Sequence, residues 1–438
     1  MVGHLSLDRQ IQWLNDQVNL EKQGLPSAGR TDDLSVEPML QLLALLGDPH
    51  LDAPAIHLTG TNGKGSTAHL TSLLLREHGL RVGTYGSPHV SAINERIQID
   101  VESISDDDLA SVLEVVRLAA EQLDRRPSWF ELVTAAAFRA FSDAAVDVVV
   151  LEVGMLGRYD ATNVVDTAVA VVTNIDRDHT DGAVGWRDAI ASEKAGIVKP
   201  GRALVMGDVD DDLHHWFIDE GPGSVQRLGE QFELASNEIG IGGRVIDVAT
   251  QHDRYEAVLV ALHGRHQGTN AAVAIATAES FLGSGLDHDL VEIAFAQASM
   301  AGRMEVLGSD PLIVIDGGHN TAGAAAAAST FAEAFHVFGR RILIVGMMAE
   351  KDPVEMLEAL DVRSADLLIC CAPDWTRAMP AADLASAART MGLDPDVISS
   401  PGEAIEVALS LSTEGDAILV AGSLYVAGAV RNRLLVDV

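Results

Sequence analysis

The residues with the clearest chemical potential form a glycine-rich loop. The segment GTNGKGST begins at Gly60, directly after the apolar run AIHLT and directly before the helical pattern AHLTSLLLREHG. Its three glycines let backbone N–H groups turn toward a phosphate chain, and the start of the helix adds partial positive charge. Lys64 can neutralise the terminal phosphates, while Ser66 or Thr67 can reach a phosphate or its magnesium ion. We therefore predict that the phosphates of ATP bind to Gly60, Thr61, Asn62, Gly63, Lys64, Gly65, Ser66 and Thr67.

This loop departs from the strict phosphate-loop pattern G-x-x-x-x-G-K-[ST] at two places. Leu58 stands where the first glycine belongs, and Gly65 separates Lys64 from the hydroxyl residues. A plain glycine turn between strand and helix is the alternative interpretation. The lysine and the paired hydroxyls, in a strand-loop-helix context, favour nucleotide binding.

The elements around the loop predict an α/β fold. Nearly continuous, β-branched apolar runs at 55–59, 146–154 and 168–175 are typical of parallel strands that are covered on both faces. Helical segments at 106–123 and 130–143 lie between them, as β-α-β units require. Shorter, alternating runs from about 225 to 262 predict an antiparallel appendage.

A second series of strands predicts a second domain. Apolar runs recur at 312–316, 341–346, 366–372 and 417–422, each followed by a helical or loop segment. At 438 residues the chain also exceeds what one hydrophobic core usually organises. We predict a parallel-sheet ATPase domain with a phosphate loop over residues 1–299, and a smaller Rossmann-like α/β domain over 300–438. A cleft between two domains would be a natural ligand site.

Composition excludes several kinds of partner. The net charge is −34, from 30 basic and 64 acidic residues, so the overall field repels nucleic acid and anionic membranes. The chain has no apolar run near 18 residues and begins without a signal-peptide pattern, so we expect a cytoplasmic protein. Cys370 and Cys371 are adjacent in an apolar segment, which favours buried packing over a disulfide or a metal site.

A series of longer motifs identifies a family. The loop in its context resembles that of the Mur ligase superfamily, particularly its folylpolyglutamate synthase/dihydrofolate synthase branch. In family order the chain also has YGSPHVSAINERIQID at 85–100, LEVGMLGRYDATNVVD at 151–166, TNIDRDHTDG, ASEKAGIVKPG, LHGRHQGTNAAVA, AGRMEV and VIDGGHN. The resemblance spans roughly residues 30 to 430.

The resemblance implies an ATP-dependent, amide-forming ligase. Such an enzyme joins L-glutamate to a folate, to dihydropteroate or to both, through an acyl-phosphate intermediate. The implied partners are these small molecules, and we expect a monomer.

The resemblance also implies a metal centre with two magnesium ions. Its ligands would be Ser87, Glu152, His179 and Lys194, with Lys194 converted by carbon dioxide into a carbamate. From the residues alone, a buried unpaired carboxylate such as Glu152 is costly and therefore points to function. His179 and Lys194 by themselves would be read as a hydrogen-bonded loop histidine and a salt-bridged lysine.

The remaining roles carried over from the family concern ATP and catalysis. Asn270 would contact adenine, while Arg303 and Asp316 of the second domain would contact phosphates and ribose, so that ATP meets both domains. The predicted catalytic residues are Lys64, Lys194 and His319.

For the acceptor substrate, the family implies five contacts. They are Phe130, Glu131, Asp160, Ala161 and Thr162. An aromatic ring can stack on a flat pterin or aminobenzoyl group. The alternative is that Trp129 and Phe130 simply begin a core helix.

Three other functions fit parts of the pattern. One is another Mur-type ligase, such as a cell-wall ligase acting on a UDP-sugar peptide, but we expect no UDP-binding domain in the sequence before Gly60. The others are a phosphate-loop small-molecule kinase and a nucleotide-dependent binding module. A binding module could dispense with Glu152, His179 and Lys194, and all three are present.

Overall fold

A computed structural model describes residues 6–19, 35–155, 157–177 and 184–435. The chain divides into two compact units. The first comprises Met1–Asn237, Ile246–Val260 and Gly268–Ala298, and the second comprises Glu238–Val245, Ala261–Gln267 and Ser299–Val438. Within the described ranges, no helix is long and apolar enough to span a membrane.

The first unit contains an eight-stranded sheet in the order β4-β3-β2-β5-β1-β6-β7-β8. All pairs are parallel except β2–β3 and β3–β4, which are antiparallel. The strands are β1 (Ala55–Thr59), β2 (Val82–Tyr85), β3 (Ile97–Ile99), β4 (Glu102–Ser103), β5 (Val148–Glu152), β6 (Thr167–Asn174), β7 (Ala203–Asp208) and β8 (Ser224–Arg227).

Helices cover both faces of this sheet, because its central strands are apolar on both sides. Val149 and Leu151 of β5 belong to the core beneath α5, while Ala170 and Val172 of β6 belong to the core beneath α6. The helices are α1 (Leu7–Asn15), α2 (Glu37–Leu45), α3 (Lys64–Glu77), α4 (Asp106–Ala120), α5 (Trp129–Asp143), α6 (Trp186–Ala195), α7 (His214–Ile218), α8 (Arg265–Leu282) and α9 (His288–Ala296).

The register of the central strands fixes where their loops meet. Leu58 pairs with Glu152 on one side of β1, and Thr59 pairs with Val172 on the other. The carboxyl ends of β1, β5 and β6 therefore lie side by side. Open α/β sheets bind ligands beyond the carboxyl ends of their strands.

Strands β9 (Glu233–Gly240), β10 (Gly243–Ala249) and β11 (Arg254–Val260) form a separate three-stranded sheet. Connections this short allow only antiparallel neighbours. The predicted appendage thus exists, but its predicted start at 225 was wrong. Strand β8 instead pairs in parallel with β7. Its polar sequence SVQR hid this role, since a strand at a sheet edge needs no continuous apolar run.

The second unit is a six-stranded sheet in the order β12-β13-β17-β14-β15-β16, in which only β12 runs antiparallel to its neighbour. Cys370 and Cys371 are buried, free thiols, as predicted. The strands are β12 (Glu305–Ser309), β13 (Leu312–Ile315), β14 (Arg341–Val345), β15 (Leu367–Cys370), β16 (Asp396–Val397) and β17 (Ala417–Ala421). The helices are α10 (Thr321–Ala334), α11 (Pro353–Ala359), α12 (Ala381–Thr390), α13 (Pro401–Leu411) and α14 (Leu424–Leu435). The predicted α/β class is confirmed.

Candidate active site

The glycine loop joins β1 to α3 and is tightly constrained. Gly60 has φ of 146°, and a Cβ there would lie 1.9 Å from Thr173 Oγ1. Gly63 has φ of 82°, and a Cβ there would lie 2.5 Å from Asn270 Oδ1. Both positions need glycine for backbone conformation and for space. The predicted adenine contact, Asn270, is thus brought against the loop.

The end of β6 holds the loop in place. Asn174 Oδ1 accepts hydrogen bonds from the backbone N–H groups of Thr61, at 3.2 Å, and of Asn62, at 2.9 Å. Thr173 Oγ1 donates to the carbonyl oxygen of Asn62 at 2.6 Å. Thr173 and Asn174 are part of the motif TNIDRDHTDG, but the sequence analysis predicted no role for them. Their position in the last two residues of an apolar strand was the available signal.

Two lysine side chains converge on one carbonyl oxygen of the loop. Lys64 Nζ donates to the carbonyl oxygens of Gly60, at 3.0 Å, and of Thr61, at 3.2 Å. Lys194 Nζ, from α6, donates to the same Gly60 oxygen at 2.7 Å. The Lys194 residue is only 5% exposed. Two basic side chains are therefore brought together beside the glycine loop, in a chain with a net charge of −34.

Glu152 ends β5 beside the same loop and is 6% exposed. Its Oε2 accepts the backbone N–H of Ser87 at 3.0 Å. A Cβ on Gly65 would lie 3.2 Å from this oxygen, and one on Gly86 would lie 3.5 Å from it. The two glycines thus keep the space beside the carboxylate clear, and a small cation can be accommodated there.

Among the described residues, no three acidic, histidine or cysteine side chains are arranged so that they could hold a metal ion together. One carboxylate with neutral oxygen donors nevertheless suits Mg²⁺, which usually keeps several waters and binds one or two carboxylates together with phosphates. The predicted ligand His179 lies outside the described residues.

The segment after Ser87 is organised by its own side chains. The Glu95 carboxylate accepts backbone N–H groups from residues 90–92. Arg96, which is 1% exposed, donates from Nε to His89 Nδ1 at 2.9 Å and lies 4.6 Å from the centre of the Trp129 ring. Burial, and secondarily Arg96, lowers the pKa of His89 to about 3, so this ring stays neutral and can accept that bond.

The first two residues of α5 have different environments. Trp129 is 4% exposed and belongs to the core, as the alternative interpretation held. Phe130 is only partly buried, and a Cβ on Gly154 would lie 2.2 Å from its ring. Glu131 forms a capping box, because its carboxylate accepts the Ser128 N–H at 2.6 Å.

Asp160 organises the loop that follows β5. Its Oδ1 accepts the Thr162 N–H at 3.0 Å and the Thr162 hydroxyl at 2.5 Å, and its Oδ2 accepts the Met155 N–H at 2.8 Å. Burial raises the pKa of Asp160, and these hydrogen bonds, with one from Gly154, oppose the rise. Ala161 is buried beside it. The predicted acceptor residues Phe130, Asp160, Ala161 and Thr162 therefore lie on or against this loop.

The second unit places its predicted site residues around the end of β13. Asp316 is 7% exposed, and its two carboxylate oxygens accept backbone N–H groups from Gly318, at 2.7 Å, and Met304, at 3.0 Å. A Cβ on Gly317 would lie 3.3 Å from Arg303 Nη1. His319 Nδ1 donates to the Gly317 carbonyl oxygen at 3.2 Å. Arg303, Asp316 and His319 are thus neighbours within this unit.

The loop geometry yields a first prediction. Gly60→Ala should raise the Kd for MgATP at least about tenfold, because the new methyl group would collide with Thr173 and displace the loop. Gly79→Ala is the matched control, since Gly79 also has positive φ, of 85°, but faces open space. Calorimetric titration and thermal melts of both variants separate lost binding from lost stability. Wild-type affinity in Gly60→Ala would show that this geometry does not matter for nucleotide binding.

Comparison with known proteins agrees with this geometry. Residues 58–278 match the Mur ligase middle domain, and residues 302–424 match the Mur ligase glutamate ligase domain. A dihydrofolate synthase/folylpolyglutamate synthase from Mycobacterium tuberculosis is 35% identical, over 91% of this chain and 90% of the relative.

Solved structures show the same similarity. M. tuberculosis folylpolyglutamate synthase, complexed with ADP and AMPPCP, superposes with a TM-score of 0.88 at 33% identity and covers 98% of both chains. Escherichia coli FolC, in complex with DHPP and ADP, superposes with a TM-score of 0.84 at 26% identity, over 99% of this chain and 98% of the other. This chain belongs to the folylpolyglutamate synthase/dihydrofolate synthase family of the Mur ligase superfamily.

Proposed function

We propose that this protein is an ATP-dependent ligase that joins L-glutamate to the carboxylate of a folate, of dihydropteroate or of both. The observation that carries the proposal is the convergence of Lys64, Lys194 and Glu152 on the glycine loop. The relatives support it, since the M. tuberculosis enzyme was solved with ADP and AMPPCP, and the E. coli enzyme with DHPP and ADP.

The chemistry explains why such a site is needed. A carboxylate anion is a poor electrophile and releases a poor leaving group. In the proposed reaction, an acceptor carboxylate oxygen attacks the γ-phosphorus of ATP, and ADP leaves. The glutamate amine then attacks the carbonyl carbon of the acyl phosphate and expels inorganic phosphate. The amide keeps one oxygen of the original carboxylate, and the other leaves with phosphate.

The loop residues act on the first step by electrostatic stabilisation. The N–H groups at the start of α3 would hold the phosphates, because those of Thr61 and Asn62 are bonded to Asn174 Oδ1. The Lys64 ammonium would offset the charge that builds up on the transferring group. Asn270, which lies against Gly63, is the proposed adenine contact. Arg303 and Asp316 are the proposed phosphate and ribose contacts of the second unit, and His319 is its proposed catalytic residue.

Magnesium would be held by Glu152, Ser87, His179 and a carbamate on Lys194. When bound, the two ions would polarise the phosphoryl oxygens and offset their charge. Independently of the metal, Glu152 and the Ser87 N–H fix each other at the carboxyl ends of β5 and β2. This contact orients the carboxylate toward the loop.

The acceptor is assigned to the region beside Phe130 and the loop after β5. Phe130 supplies an apolar ring next to Gly154. Glu131, Asp160, Ala161 and Thr162 are proposed to shape this region, and the Glu131 and Asp160 carboxylates do so while bonded to backbone N–H groups.

The proposal predicts coupled turnover. Phosphate release should require both acceptor and glutamate, and Lys64→Ala should lower kcat by about 10²- to 10³-fold, because a preorganised positive charge is lost from the transition state. Arg76→Ala, on the same helix but bonded to Glu77 and Gln297, is the control and should keep its rate. Product mass with each acceptor in turn is the measurement. Phosphate release without glutamate incorporation would refute the ligase assignment.

A further prediction concerns carbamylation of Lys194. Carbon dioxide reacts only with a neutral amine, whereas a free lysine with a pKa of about 10.4 is protonated at neutral pH. Carbamylation would therefore need a site that disfavours the ammonium form, and burial such as that of Lys194 acts in this direction.

With ¹³C-bicarbonate and magnesium at neutral pH, wild-type protein should give a carbamate carbon signal. The signal should disappear in Lys194→Arg and persist in Lys199→Arg, which changes the next lysine along the chain. Lys194→Ala should lose most activity, while Lys194→Glu should retain a part, since its carboxylate lies roughly where the carbamate oxygens would. A wild-type enzyme that is active with magnesium and gives no such signal would exclude the modification.

A further inference from the structure

A buried hydrogen-bond chain links the middle of β1 to the loop after β5. His57 is fully buried, and its Nε2 lies 2.8 Å from Thr162 Oγ1. Thr162 Oγ1 lies 2.5 Å from Asp160 Oδ1, and Asp160 Oδ2 accepts the Met155 N–H at 2.8 Å. This series of hydrogen bonds therefore runs from His57 in β1, through the side chains of Thr162 and Asp160, to the backbone N–H of Met155.

The direction of each hydrogen bond follows from the available protons. Both oxygens of Asp160 accept backbone N–H groups, which stabilises the carboxylate as an acceptor. Thr162 has one hydroxyl proton, and it is donated to Asp160. The hydroxyl can then only accept from His57. The histidine must therefore carry its proton on Nε2.

The surroundings of His57 agree with this tautomer. Burial, and secondarily Lys199, lowers its pKa to about 3, so the ring stays neutral at physiological pH. Nδ1 is buried and finds no hydrogen-bond partner within the described ranges. In the Nε2–H tautomer, Nδ1 carries a lone pair and no proton, which agrees with its lack of a partner. The single ring proton is thus committed to Thr162.

The loop held by this chain contacts two parts of the proposed site. Gly154 lies against the Phe130 ring, where a Cβ would be 2.2 Å away. Gly157 lies against α6, where a Cβ would be 3.0 Å from Lys194 Cα, and the Arg158 N–H donates to the Glu193 carbonyl oxygen at 2.8 Å. Met155, whose N–H is bonded to Asp160, directly follows Gly154, so a change in this bond would act first on the contact between Gly154 and Phe130.

We propose that His57 is a positioning residue for the acceptor substrate, which acts through Thr162 and Asp160 on Gly154 and Met155. This inference rests on the proposed function and extends it. Because His57 is fully buried, it would act without touching substrate or nucleotide. Its effect should therefore appear in the KM for the acceptor and not in the affinity for ATP, even though it lies only three residues before Gly60.

Two substitutions distinguish positioning from simple packing. Gln places an N–H donor near the position of His Nε2, whereas Asn places one near Nδ1 and leaves Thr162 without its donor. His57→Asn should raise the acceptor KM about tenfold, the size expected for loss of a buried hydrogen bond, with the Kd for MgATP changed less than about twofold. His57→Gln should restore the acceptor KM to within about threefold of wild type.

Thr162→Val provides an independent test, because it removes the hydroxyl and keeps the side-chain shape. It should raise the acceptor KM as His57→Asn does, and the double variant should be no worse than either single variant, since both break one chain. Equal KM values for the Asn and Gln variants, or ATP affinity that falls as much as acceptor affinity, would overturn the proposal.

The tautomer can be measured even if these variants fold poorly. Nitrogen-15 spectra of histidine-labelled wild-type protein should show His57 with a protonated Nε2 and a bare Nδ1 from pH 5 to 8. A protonated Nδ1, or an imidazolium ion in this range, would overturn the proposal. Because this measurement needs no turnover, it is separate from the test of the ligase function, which fails if wild-type protein never incorporates glutamate.

Discussion

The Gly60 carbonyl oxygen accepts hydrogen bonds from the Nζ atoms of two lysines, and the sheet and helices of the first unit bring these side chains together. Lys64 reaches it from the start of α3, and Lys194 from α6, 134 residues away in the chain. Burying an ammonium group is costly unless charged or polar partners compensate it. In a chain with a net charge of −34, two lysines beside a glycine loop support the proposed binding of a nucleotide phosphate chain at this place.

The parallel sheet makes this convergence possible. Because β1 lies between β5 and β6, the glycine loop, Glu152 and Asn174 emerge at one edge. The loop needs glycines because they have no side chain. A methyl group on Gly60 or Gly63 would collide with Thr173 or Asn270, and one on Gly65 would crowd Glu152.

Much of this could be predicted from the sequence. Strands β1, β5 and β6 were visible as apolar, β-branched runs, and the glycine loop was recognisable because its residues are contiguous. What could not be predicted were contacts between distant positions. The pairing of His57 with Thr162, across 105 residues, depends on strand order, which composition does not encode. Glu131 shows the reverse case. The resemblance to the family implied a substrate contact for Glu131. The Glu131 carboxylate also forms a capping box, and the local pattern Ser128-x-x-Glu131 is typical of one.

The central claim is that this site activates a carboxylate by phosphorylating it, and the path of one oxygen atom tests that claim most directly. An acceptor labelled with ¹⁸O in its reacting carboxylate should be turned over with MgATP and glutamate, and the inorganic phosphate analysed by mass. The account predicts one ¹⁸O atom in each phosphate released, because the bridging oxygen of the acyl phosphate comes from the carboxylate. Unlabelled phosphate accompanying amide formation would contradict it.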